Sequence, residues 1–299
     1  MPTRQWTGVT GGGTLGQKLL IILFEFVNVK AVYWVLWLVV PFYMLFSRKS
    51  YKAIYHYFRR QWGSPPLKAF YKTYRNHIIF GQCMFDRLAV YAGKRNTFKL
   101  QFTGYEHIER LMQDKSGFVV ATAHTGNFEI GGYLTPEQIM QKSTLTMTFG
   151  GESEVITSNR AQHLNANDIT ALNNSADMSH IFILRDALLA GQMITMMCDR
   201  MLGGEKSIEC SFLNGRADFP QGAFALAVSV NVPVIAVFVM KEKRSVYHSY
   251  AAPLKIDNID KMSRQEKISA YAKQYVAALE TVLRKYPEQW FNFYEFWKS

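Results

Sequence analysis

His124 and Glu129 are the residues whose types and spacing suggest chemistry. They stand in Ala123-His124-Thr125-Gly126-Asn127-Phe128-Glu129, a His-x4-Glu pattern. An imidazole exchanges a proton near neutral pH. A carboxylate bonded to one ring nitrogen fixes the tautomer and supports the imidazolium formed when the other nitrogen takes a proton. This is the His-Asp portion of a Ser-His-Asp arrangement with the protein nucleophile left out, so a substrate hydroxyl would attack. The spacing alone is a weak signal, because a lone histidine after a strand is usually structural. Its surroundings strengthen it. Gly126 permits a tight turn, and Asn127 is suited to cap a helix starting near Phe128, which would bring Glu129 back toward the ring.

These residues need a scaffold. The apolar run 117–123 reads as a buried strand, and further strands are expected at 97–102, 143–149, 192–198 and 232–240. Helical periodicity covers 67–91, 106–112, 181–190, 222–230 and 264–286, with an aromatic stripe on the first of these assigned to core packing. Strands alternating with helices indicate an α/β sandwich, and His124 falls where such sheets collect their sites, at a strand end.

The N-terminal part differs. Residues 19–46 are strongly apolar, broken by Glu25 and Lys30, and 31–46 carry no charge. That uncharged run is somewhat shorter than the roughly 20 residues a spanning helix needs. Trp34, Trp37, Tyr33 and Tyr43 are rings suited to a headgroup interface, and Arg48, Lys49, Lys52, Arg59 and Arg60 follow. We read 1–62 as a membrane-associated segment and 63–299 as the catalytic domain, on the cytoplasmic face of the membrane. The Gly11-Gly12-Gly13 run lacks the Lys-Ser/Thr of a phosphate loop.

Charge and cysteines narrow the classes. The formal net charge of +11 draws the chain to anionic partners without choosing among them. No nucleic-acid motif accompanies the charge, so no nucleic-acid partner is expected. Cys83, Cys198 and Cys210 are scattered and read as buried thiols, which disfavours disulfide and zinc frameworks. His163, His180 and His248 lack partners at ligand spacing, so no metal is expected. The Gly-x-Ser-x-Gly of a serine hydrolase is missing as well.

Ala123 to Glu129 resembles the first block of the bacterial lipid A biosynthesis (late) acyltransferases, within the lysophospholipid acyltransferase superfamily. Four further segments are similar to the family's later blocks, in order. They are 184–191 with Cys198-Asp199-Arg200, then 211–222 around Gly215 and Arg216, then Asn231-Val232-Pro233-Val234-Ile235, and last Tyr286-Pro287-Glu288-Gln289-Trp290-Phe291. The resemblance implies an α/β fold with a mixed sheet flanked by helices and an apolar groove for the acyl chain. It implies transfer of a fatty acyl group from acyl-carrier protein or coenzyme A to a lipid or glycolipid hydroxyl at the bacterial inner membrane, without metal or cofactor. By analogy His124 is the general base and Glu129 its partner, while Asn127, Asp199, Arg200, Gly215 and Arg216 contact substrate. An Arg216 fork would suit a phosphate.

The chain also departs from the pattern. Asp199-Arg200 stands where relatives often have Asp-Gln or Asp-His, and 292–297 lacks a His-Arg-Arg-like ending. These departures leave the acceptor open to a lysophospholipid or aminolipid. A non-catalytic lipid-binding protein that kept the fold is the reading from a different class.

Overall fold

In the computed structural model, residues 29–135, 144–148, 169–173, 179–201 and 206–298 are described. The expectations at Gly11 to Gly13, Leu19 to Phe24, Glu25 and His163 lie outside them.

The periodic segments form elements close to where their patterns place them. Helix α1 is Val29–Phe46, α2 is Arg48–His56, continued by a π-turn to Gln61, and α3 is Pro66–Tyr91. Strand β1 (Lys99–Thr103), helix α4 (Tyr105–Gln113), β2 (Phe118–Thr122), α5 (Phe128–Leu134), β3 (Thr144–Thr148), β4 (Ile169–Asn173), α6 (Ser179–Leu189) and β5 (Met193–Met197) follow. The chain continues through β6 (Ser207–Phe212), β7 (Gly215–Pro220), α7 (Gly222–Val230), β8 (Val234–Lys243), β9 (Val246–Pro253) and α8 (Arg264–Lys285). Two differences have local causes. Residues 95–97 turn as a 3-10 helix, which delays β1 to Lys99. The segment 211–222, where no strand is expected from the apolar pattern, is mostly the β6–β7 hairpin.

Seven strands form a mixed sheet in the order β1-β9-β8-β2-β5-β3-β4. β8, β2, β5, β3 and β4 run parallel to one another, whereas β9 turns back antiparallel on β8 and β1 runs parallel to β9. Every residue of β2 is buried, as a central strand covered on both faces requires. Val119 and Ala121 pack on one side with Phe224, Ala227 and Tyr275 of α7 and α8. Phe118 and Val120 pack on the other with Met112 of α4. α1, α3 and α5 share a separate apolar cluster through Leu36, Ile78 and Ile130. The α3 stripe is not all core, because Phe70 is half exposed.

No single helix among the described residues is long and apolar enough to cross a membrane. Residues 31–46 and 48–61, apolar and basic respectively, form a helix pair bent by 97°, long and apolar enough only when taken together.

Candidate active site

Register brings the first two site residues together. β2 and β5 are parallel neighbours with Thr122 opposite Met197, and the Cys198 amide continues the ladder to the Thr122 carbonyl. Two residues beyond each strand end, His124 and Asp199 therefore stand side by side. His124 Nδ1 lies 2.7 Å from Asp199 Oδ1, and the His124 backbone N–H donates to Asp199 Oδ2 at 3.0 Å. Asp199 is fully buried, whereas the His124 side chain is 22% exposed.

A third donor completes the carboxylate's shell. The Trp290 indole N–H donates to Asp199 Oδ2 at 3.0 Å. Trp290 reaches it because the C-terminal segment runs beside the histidine loop. Thr125 and Trp290 form an antiparallel bridge, the Phe291 amide donates to the His124 carbonyl, and the Gly126 amide donates to the Gln289 carbonyl. Burial alone would push the Asp199 carboxyl up. The His124 charge and hydrogen bond, Arg200 and the Trp290 N–H outweigh it and hold the group at about 2. Asp199 is thus an anion fixed against Nδ1, an arrangement that favours the tautomer with its proton on that nitrogen.

The turn after His124 depends on Gly126. Its φ is +51°, and an added Cβ would lie 2.1 Å from the Val239 carbonyl oxygen. Asn127 caps α5, its side-chain oxygen accepting from the Ile130 amide, while its Nδ2 donates to the Cys83 carbonyl at 2.8 Å. The Asn127 backbone N–H donates to the Val239 carbonyl, so this amide is committed to the fold and not to an oxyanion.

Glu129 lies in the first turn of α5. Its carboxylate accepts from Arg87 Nη1 at 2.9 Å and from the Tyr91 hydroxyl at 3.2 Å, both on α3. Sequence reasoning gave the ring's carboxylate to Glu129; the carboxylate on Nδ1 is Asp199. The reason is register, which aligns positions 124 and 199 across adjacent strands, whereas Glu129 rides on a helix that packs against α3.

The remaining candidates are placed as follows. Arg200 is buried, and its Nη2 donates to the Phe291 carbonyl at 2.6 Å. Gly215 starts β7 against the Trp297 ring. Ala217 and Phe219 of that strand point inward, so Arg216 points outward. It meets Glu209 at 3.3 Å, in a surface cluster with Lys298 and Asp218.

Three residues at this centre were missed as site residues. Trp290 had a signal in its position within the closing Pro-Glu-Gln-aromatic block. Arg87 and Tyr91, four apart on α3, share one face and so meet one carboxylate. Among the described residues, no three His, Cys, Asp or Glu side chains gather as a metal site.

The arrangement can move a proton from a hydroxyl and hold the resulting imidazolium against a buried anion. No curated protein matches the chain. The family described as bacterial lipid A biosynthesis acyltransferase matches residues 70–299, well over half of the chain, from α3 through the histidine loop, β5, the β6–β7 hairpin and the C-terminal segment. The chain therefore belongs to the bacterial lipid A biosynthesis acyltransferase family and is an acyltransferase.

Proposed function

We propose that this acyltransferase moves a fatty acyl group from acyl-carrier protein, or from coenzyme A, to a hydroxyl of a lipid or glycolipid acceptor, at the cytoplasmic face of the bacterial inner membrane. The observation that carries the reading is the 2.7 Å contact between His124 Nδ1 and the buried Asp199 carboxylate. A histidine held in this way is prepared to act as a base through its other nitrogen.

His124 Nε2 takes the acceptor hydroxyl proton as that oxygen attacks the thioester carbonyl carbon. The tetrahedral intermediate collapses, the carbon–sulfur bond breaks, and the leaving thiolate receives the proton back from the imidazolium. The ester and the free thiol are the products, and neither a metal nor an organic cofactor enters the balance. Asp199 holds the ring and offsets its charge in the protonated state. Glu129, gripped by Arg87 and Tyr91, is the second acidic group of the centre. It fixes the start of α5 and adds negative potential for the imidazolium.

Asn127 and Arg200 shape the substrate space from behind, through the α5 cap and the Phe291 carbonyl. Gly215 and Arg216 form its outer rim. Arg216 grips an acceptor phosphate by exchanging its partner Glu209, a surface pair that is weak in water. The basic surface that serves anionic lipid also docks an acidic carrier protein.

The test is acylation by the purified protein with acyl-carrier-protein and coenzyme A thioesters. It uses a panel of glycolipid, lysophospholipid and aminolipid acceptors, with mass spectrometry of the products. One ester product on an acceptor hydroxyl, strongly preferred over the others, is expected. No acylated product from any pairing would overturn the reading in favour of a lipid-binding protein.

A further inference from the structure

Helix α1 has two apolar faces with different fates. One is packed: Val29, Val32, Leu36, Val40 and Met44 are buried. The other is bare: Trp34 is 72% exposed, Leu38 69%, Phe42 56% and Leu45 68%. These four recur at intervals of four, four and three, so they form one stripe along the helix. A continuous stripe of large apolar side chains on an outer surface marks a contact with lipid or protein.

Three observations fix how lipid would meet it. First, α1 cannot swing away. The Tyr33 hydroxyl donates to Asp86, which is buried and paired with Lys241 of β8, and further along Tyr74 donates to the Trp37 carbonyl at 3.1 Å while Tyr43 packs on His77. The helix is thus fastened to α3 at both ends of their contact. Second, another face of the same stretch of α3 is polar. Arg75 and Gln82 line a cleft of about 410 Å³ together with Lys243, Arg244 and Lys285. Third, the exposed Arg48, Lys49 and Lys52 follow directly where the chain bends by 97°.

We propose that α1 lies in the plane of an anionic phospholipid bilayer, with Trp34, Leu38, Phe42 and Leu45 sunk into one leaflet, and does not cross it. A helix of 18 residues standing along the membrane normal would carry α3 and its cleft some 20 Å or more into hydrocarbon. Charges placed there are strongly disfavoured. In the plane, the stripe is buried, the cleft stays in water, and Arg48, Lys49 and Lys52 sit at headgroup depth, where each cation strengthens attachment to anionic lipid. The inference rests on the membrane association proposed above and adds its geometry.

The test uses full-length protein with single cysteines in place of Trp34, Leu38, Phe42 or Leu45, each carrying a nitroxide. Cys83, Cys198 and Cys210 are buried and do not compete for label. Depth is read by oxygen against nickel-complex accessibility on phosphatidylglycerol vesicles, and acyl transfer reports that each protein is intact. All four labels should lie at one depth, about 5–10 Å into the leaflet. A ramp of roughly 16 Å from position 34 to 45, at 1.5 Å per residue, would overturn the in-plane arrangement while leaving membrane association standing. Full access of the nickel complex at all four positions would overturn both. Labels shielded from both probes and broadened by a second label would make another copy of the chain the occupant, and would overturn the proposal. R48Q, K49Q and K52Q together should weaken binding to these vesicles by about 100-fold. Equal binding to neutral vesicles by the unaltered protein would overturn the choice of anionic lipid.

Discussion

Among the described residues, Asp86 and Asp199 are carboxylates with no solvent exposure, each bonded to a basic side chain, and the two pairs behave oppositely. Asp86 and Lys241 form the first, joined by the hydroxyls of Tyr33 and Tyr247. Burial raises the Asp86 carboxyl above its ordinary range in spite of these partners. Asp199 and His124 form the second, where a backbone N–H and the Trp290 indole complete the shell and the carboxyl is held at about 2. The partners also differ in access: the Lys241 side chain is 5% exposed and that of His124 is 22%. A sealed pair fastens α1 and α3 to the sheet. A pair whose base opens to the surface can exchange a proton with a substrate. Burial and pairing by themselves do not mark a site; an accessible base on a fixed anion does.

Exchanging the carboxylates separates the two roles. Asp199→Asn should lower turnover by about 10²–10⁴-fold, because the ring loses its fixed tautomer and the imidazolium its counter-charge, with little change in membrane binding. Asp86→Asn should do the reverse. It leaves a buried ammonium without a charge partner and should cost about 3–5 kcal/mol of stability, read by chemical denaturation, while activity per folded molecule stays within a few-fold. Similar effects of the two substitutions on both readouts would erase the distinction.

Acid sharpens it. Asp199 has a folded value of about 2 against an ordinary 3.8. Its contribution to stability, about 2 kcal/mol, is therefore present above pH 4 and is lost as pH falls through about 2. Asp86 shifts the other way, so it contributes no loss in that window. Denaturation midpoints between pH 2 and about 4 should show a slope that Asp199→Asn flattens and Asp86→Asn leaves in place. An unchanged slope in Asp199→Asn would refute the assignment.

Trp290→Phe removes one N–H donor from Asp199 and keeps most of the ring packing. Turnover should fall about 10-fold, in line with a lost hydrogen bond to a charged group, and the acid edge of the stability profile should move toward the ordinary carboxylate range. A loss of stability with no movement of that edge would make Trp290 a packing residue only.

Most regular elements were legible because their apolar period is unbroken. Helix α7 at Gly222–Val230 matches its expected limits, and α8 lies within one residue of them. The β6–β7 hairpin was obscured because its outward positions carry Glu209, Arg216 and Asp218, so it lacks the continuous apolar run of the buried strands. β9 was missed for a related reason: His248 and Ser249 interrupt the apolar alternation. His124, Glu129 and Asp199 were each legible as residues, but the contact between His124 and Asp199 was not. Seventy-five positions separate them, and their meeting depends on β5 pairing with β2 in one register, a long-range choice that local patterns do not encode.

The account stands on His124 and Asp199 acting as one unit, and a double-mutant cycle on acyl-transfer rate measures that directly. His124→Ala, Asp199→Ala and the double variant would be compared, each shown to be folded. His124→Ala alone should cost about 10²–10⁴-fold, and adding Asp199→Ala should make the enzyme no slower, because a carboxylate without its imidazole has nothing left to support. Losses that multiply across the two sites, or a His124→Ala protein that transfers acyl groups at the normal rate, would contradict it.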